Sequence, residues 1–187
     1  MRKTQSEPLL TRIQDEQVSW QQHNFPDRPS WVPLMGVGEE LGELIDAVLP
    51  LDIHDAIGDT VIYLADYCTS QNINLSSTYL SIFDHKNTDS PLHSSRKLYF
   101  ISPDKAIWIA YSQLCHAHIK EFQQIRLTEN HVATRIKAIM SIMYQLDNIA
   151  IILGWTLEDI VFTVWERVKT RDWKKNPNSA HLDINQV

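Results

Sequence analysis

Apolar residues recur at three- and four-residue intervals along most of the chain, the pattern of amphipathic helices. Leu9, Leu10, Ile13 and Trp20, with Gln17 in register, mark one face over residues 8–23. The stretch NFPDRPSWVP that follows holds three prolines in ten residues and reads as a rigid extended connector. The pattern predicts a second helix over residues 34–49, ended by Pro50. A third runs from Asp52 or Ile53 to about residue 70; it is apolar on more than one face and should be central. Residues 75–83 suggest a short helix capped by Asn74 or a nearby serine. The polar, Pro-containing stretch 84–97 reads as a mobile linker.

Three more helical patterns lie beyond. Residues 103–123 open with Ser102 as cap and Pro103 at the first helical position. Residues 130–153 stop at Gly154. Residues 156–169 begin Thr-Leu-Glu-Asp, a variant of the capping box. Periodicity fades after Trp173. No stretch alternates as a strand would, so the expected class is all-α, a helical bundle forming one domain over residues 1–187.

The order of helices repeats. Residues 63–83 set beside 145–165 without a gap, Leu64 meeting Leu146, Leu75 meeting Leu157 and the helix stop at Asn72 meeting Gly154. Residues 36–49 set beside 109–122, Leu41 opposite Leu114. A tandem duplication is one reading, and chance similarity of two amphipathic helix pairs is the other. Under duplication, residues 8–83 form one helical unit and residues 103–173 a degenerate second. Glu40, Glu43, Asp55 and Asp59 fall opposite Gln113, His116, Lys137 and Ser141, so only the first unit carries the acids.

Composition narrows the partners. A net charge of -6 disfavours a nucleic-acid surface, since phosphate backbones call for a basic face. It leaves room for a small phosphorylated ligand neutralised by a divalent ion. Cys68 and Cys115 sit inside apolar helical patterns and read as buried thiols of a reducing compartment. The first ten residues lack an apolar run suited to a signal peptide, and no stretch approaches the ~20 apolar residues of a membrane span. The expectation is a cytoplasmic protein with no membrane partner.

The informative chemistry lies in GVGEELGELIDAV and LDIHDAIGDTVIYLAD. Glu39, Glu40 and Glu43 share a side of one helix, and Asp55, Asp59 and Asp66 recur at spacings of four and seven on the next. Two antiparallel helices joined near Pro50 would bring these faces into one cleft. So many carboxylates cannot all stay ionised without a cation to neutralise them. Carboxylate oxygens suit Mg²⁺, and Mn²⁺ by the same preference. A solvated acidic face is the plainer account of one Glu-x-x-Glu. Here, however, the aspartates interrupt an otherwise apolar helix, and Gly36, Gly38, Gly42 and Gly58 sit mid-helix beside the acids. Each such glycine costs about 1 kcal/mol against alanine, and close approach of a backbone or ligand would explain them.

GVGEELGEL followed by DAIGDTVIYL resembles the MazG-like, all-α nucleotide pyrophosphohydrolase superfamily. Its pattern is Glu-Glu-x-x-Glu, a spacer, then Glu-x-x-Asp on the next helix. The resemblance covers about residues 8–83, and RDWKKNP looks like the tail of some members. It implies cleavage of a nucleoside triphosphate between the α and β phosphates, with Mg²⁺ as cofactor. The Glu-Glu-x-x-Glu carries over to Glu39, Glu40 and Glu43, the final aspartate to Asp59, and a polar residue two turns on to Asp66. The pattern's other glutamate would fall at Ala56; the nearest acid is Asp55, which would be a shorter and differently aimed ligand.

The expected site is a metal on Glu40, Glu43 and Asp59, with Asp55 replacing the missing ligand, and with Glu39 or Glu43 as general base, since one acid in such a crowd can stay unliganded and face the attacking water. Trp20, Phe25 and Trp31 flank the connector and are placed to stack on a base, although Trp20 would equally pack the first helix onto the core. Lys169, Arg171, Lys174 and Lys175 would meet pyrophosphate, or simply compensate a helix C-terminus. His116 and His118 face different sides of their helix, and His54 beside Asp55 would act behind a ligand. A di-iron bundle needs Glu-x-x-His pairs, which the chain lacks. The rival class is a non-catalytic nucleotide or metal sensor, or a helical partner-binding module, supported by Ala56 and the acid-free second unit. One short helical unit cannot enclose a nucleotide, so a pseudo-dimer within the chain is expected. Its acidic surface is compatible with a homodimer as well.

Overall fold

A computed structural model describes residues 8–84 and 102–178. Beyond Asp84, the polar stretch read as a linker lies outside the described residues, as do the last residues of the tail. The described residues form seven α-helices and no strand, in keeping with the all-α expectation. They are α1 (Leu9–Asn24), α2 (Val32–Asp46), α3 (Pro50–Ser70), α4 (Leu75–Leu80), α5 (Pro103–Phe122), α6 (His131–Ile152) and α7 (Leu157–Val168). No single helix among them is long and apolar enough to cross a membrane.

One predicted boundary is corrected. Pro50 does not end α2; it opens α3. Proline pushes the preceding residue out of the helical region, so Leu49 is extended at φ -89°, ψ 142°, and Pro50 takes a first-turn position where no N–H is needed. The second helix stops earlier, at Asp46, with Ala47 extended. Pro33 and Pro103 sit in first turns in the same way.

The predicted caps form where side chains can reach the first free N–H groups. Asn74 Oδ1 accepts from Ser77 N at 2.7 Å, Asn130 Oδ1 from Ala133 N at 2.9 Å, and Thr156 Oγ1 from Asp159 N at 3.1 Å. Ser102 precedes α5 but makes no such bond. The ends of α3 and α6 are built alike. Asn72 and Gly154 are both left-handed, at φ 55° and 82°. Ile73 N donates to Cys68 O at 2.8 Å, and Trp155 N to Ala150 O at 2.9 Å, the long-range bond of a Schellman stop. Each of these residues at the end of α6 stands at the position the sequence register assigns to its counterpart at the end of α3.

Two helical hairpins, α2/α3 and α5/α6, make the most extensive contacts. Each long inner helix also packs on the short helix of the other half, α3 on α7 and α6 on α4. The core runs through these crossings: Leu41, Ile57, Val61 and Leu64 meet Ile139, Met143, Leu146, Ile160, Val164 and Trp165, all buried. The third helix buries eleven residues, as its apolar faces predict. Buried glutamines on the inner face of α1 bond to α3, to α4 and to the turn between them. Gln14 donates to Ile73 O at 2.8 Å and accepts from Leu75 N at 3.0 Å, and Gln17 donates to Ile62 O at 2.8 Å. Gln14 is thereby paired at both ends of its amide, whereas Gln17 Oε1 is buried without a partner among the described residues.

Candidate functional site

One face of α3 and the Val32–Glu40 stretch of α2 open onto a cleft of about 280 Å³. Glu40 of α2 and Asp59 and Tyr63 of α3 form its acidic side. Trp20 and Phe25, from α1 and its end, and Trp173, after α7, make aromatic walls; Arg28 and Arg171 border it. The C-terminal segment is held over the cleft by α1: Trp20 Nε1 donates to Arg171 O at 3.1 Å, and Asn24 Oδ1 accepts from Trp173 N at 2.8 Å. Trp20 also packs edge-on against Phe25 and the buried Trp165, each at 5.9 Å. It therefore both docks α1 and lines the cleft.

The glycines have separate reasons. A side chain at Gly36 would strike the Tyr63 ring, one at Gly38 the Tyr111 ring, and one at Gly58 the Val164 side chain of α7. Three of the four mid-helix glycines therefore allow helices to close on one another. Gly42 has open space before it.

Burial and crowding govern the acids. Burial, then repulsion from Asp59, Glu43, Glu39 and Asp55, pushes the Glu40 carboxyl up to about 8. Burial, with Asp55 adding to it and Arg167 and Arg171 opposing, lifts Asp59 to about 7. Two carboxyls raised in this way, facing one cleft from consecutive helices, are the donors a hard divalent cation would relieve. Among the described residues no three His, Cys, Asp or Glu side chains converge closely enough to hold an ion as they stand. The acids are near enough to repel, yet the donor set at the cleft is a pair. Mg²⁺ is commonly bound by one or two carboxylates, with waters and substrate phosphates completing its shell, so the pair fits.

The other acids diverge. Glu39 and Glu43 are exposed beside Glu40. Asp55 forms an ion pair with Arg167 of α7. Asp66 is buried and pairs with Arg28 of the connector; its carboxyl is raised by burial, which the arginine opposes. Ala56, at the position where the resemblance would place a glutamate, is buried. Of the predicted substrate contacts, Trp20 and Arg171 line the cleft. Trp31 and Lys174 are exposed away from it, and Lys169 pairs with Glu16 and Glu166. His54 packs edge-on against Trp155 at 5.1 Å, with burial lowering its pKa. His118 is buried with Nδ1 3.2 Å from the Tyr67 hydroxyl, while His116 is exposed.

Arg28, Tyr63, Trp173 and Arg167 were not singled out from sequence. Arg28 lies in the Pro-rich connector, where periodicity is silent. Tyr63 stands four residues after Asp59 on the same helix face, so its place beside the acids was readable from spacing. Comparisons with protein-family models, with curated proteins and with solved structures give no match.

Proposed function

We propose that the chain is a Mg²⁺-dependent nucleoside triphosphate pyrophosphohydrolase of the MazG-like type, releasing the nucleoside monophosphate and pyrophosphate. The observation that carries this reading is the pairing of Glu40 with Asp59 beside the aromatic walls of one cleft. The repeated helix stops and caps, and the reciprocal packing of α3 on α7 and α6 on α4, support a duplicated unit in which one half kept the acids. In the second half, the counterparts of Glu40 and Asp59 are Gln113 and Ser141, which bring no charge.

Glu40 and Asp59 would hold the cation, with Glu43 one turn along. Bound there, Mg²⁺ supplies charge neutralisation at the phosphates and a template for their geometry. Glu39 and Glu43, solvent-facing beside the pair, are placed to accept the proton of the attacking water. The new oxygen–phosphorus bond forms at the α phosphorus as the bond to the bridging oxygen breaks, and pyrophosphate carries away the electron pair. Trp20, Phe25 and Trp173 would stack on the base, and Arg28, paired with Asp66, and Arg171 set positive charge at the rim.

The absence of three converging acids among the described residues favours a second reading, a nucleotide-binding sensor without turnover. Incubation of the purified protein with Mg²⁺ and a panel of ribo- and deoxyribonucleoside triphosphates, with assay of pyrophosphate, separates the two. Mg²⁺-dependent release from at least one nucleotide is expected. Nucleotide binding without release supports the sensor.

A further inference from the structure

The contact between α3 and α7 has a charge of its own. Gly58 leaves room for the Val164 side chain, so α7 lies directly against α3. One turn before Gly58 stands Asp55, and one turn after Val164 stands Arg167, so the antiparallel crossing brings the two together as an ion pair. In the second half, Met140 occupies the position equivalent to Gly58, and Lys137 the position equivalent to Asp55. Of these two equivalent positions, the bare helix surface and the acid therefore occur together in the first half alone.

We infer that Arg167 is a built-in cation beside the acidic cleft: it holds Asp55 out of the metal's shell and leaves a site for one divalent ion on Glu40 and Asp59. This rests on the metal-dependent reading given above. Three observations meet in it. The acid that shares Asp59's face of α3 stands one turn before it, at Asp55. Asp55 has its carboxylate engaged by a guanidinium. That guanidinium comes from the other half of the chain, 112 residues away, and is close enough to Asp59 to act on its charge. A positive charge held beside these acids both neutralises part of their crowding and repels a second cation. It acts from beside the cleft, which Arg171 of the same half lines directly.

Mn²⁺ binding to the full chain, read from the paramagnetic resonance of the free ion without nucleotide, tests this. Wild type is expected to bind one Mn²⁺ per chain. Asp55→Asn should bind it with nearly unchanged affinity, whereas Asp59→Asn should lose about tenfold or more, the scale of disturbing a metal's protein shell. Arg167→Gln, which releases Asp55, should bind Mn²⁺ about tenfold more tightly or take a second ion. Arg167→Lys keeps the charge and should behave as wild type, with helical circular dichroism checking that each variant folds. The inference is overturned if Asp55→Asn weakens Mn²⁺ as much as Asp59→Asn does, or if Arg167→Gln changes neither affinity nor stoichiometry. Either result leaves the hydrolase reading standing when wild type binds Mn²⁺ and releases pyrophosphate. A wild type that binds no Mn²⁺ overturns both.

Discussion

Glu40 and Asp59 are carboxyls whose surroundings disfavour their charge, and the consequence is measurable without any substrate. Glu40 rises from 4.5 to about 8 on folding, so the folded chain keeps a proton that the unfolded chain releases. Its contribution to stability is complete below about pH 4.5 and is lost as pH rises through about 8. Asp59, raised from 3.8 to about 7, acts in the same direction. In metal-free buffer the melting temperature should therefore fall between about pH 5 and about pH 8. Glu40→Gln should flatten that fall, and Mg²⁺ should reverse it at the alkaline end. A melting temperature that holds level across this range would show that the fold does not raise these two carboxyls. For turnover, Glu43→Gln and Asp59→Asn should each cost at least about 100-fold, the scale of losing one preorganised charged group. Their helical circular dichroism should be retained. Near-normal turnover in either variant would place the site elsewhere.

Helix ends and helix crossings carry predictions of a different kind. Asn74 and Thr156 cap α4 and α7 through the same bond to the third N–H. Replacing either by alanine should cost about 1 kcal/mol in urea unfolding. Closely similar losses would fit equivalent helices, whereas a neutral Thr156→Ala would show that α7 is held by packing alone. Gly58 and Gly42 are expected to part company. Gly58→Ala drives a methyl into Val164 and should lose about 1–3 kcal/mol as overpacking. Gly42→Ala meets nothing and should gain up to about 1 kcal/mol from helix propensity. If Gly42→Ala is stabilising but slows turnover, that glycine makes room for substrate.

The two halves depend on each other because the apolar surface of each inner helix is divided between its own hairpin and the opposite half. Val61, Leu64 and Ile57 of α3 are fully covered only with α6 and α7 in place. A fragment ending at Asp89 should therefore aggregate, as judged by light scattering, instead of forming an active dimer. A folded, active fragment would show that residues beyond 89 are dispensable. The intact chain, titrated with a non-hydrolysable nucleotide and Mg²⁺, should bind one equivalent, since Gln113 and Ser141 replace the acids in the second half. Two equivalent sites per chain would defeat the degenerate-unit reading.

The helices and most of their ends were legible in the sequence because their causes are local. Asn130, Thr156 and Gly154 act within a few residues of where they stand, and spacings of three and four place Glu40 with Glu43 and Asp55 with Asp59 whatever surrounds them. Pro50 was misplaced for the same reason of range: whether a proline closes one helix or opens the next depends on the turn before it. The partners of the acids were beyond reach. No periodicity tells Asp55 that Arg167 lies across the α3–α7 crossing, or Asp66 that Arg28 folds back from the connector. Trp20 serves both sequence readings at once because one ring face packs where another lines the cleft, a division only neighbouring helices can make. Local chemistry specified seven helices and six acids on two of them; the way the helices cross chose which acids face the cleft together, since burial and charge pairing are set by residues distant in the chain.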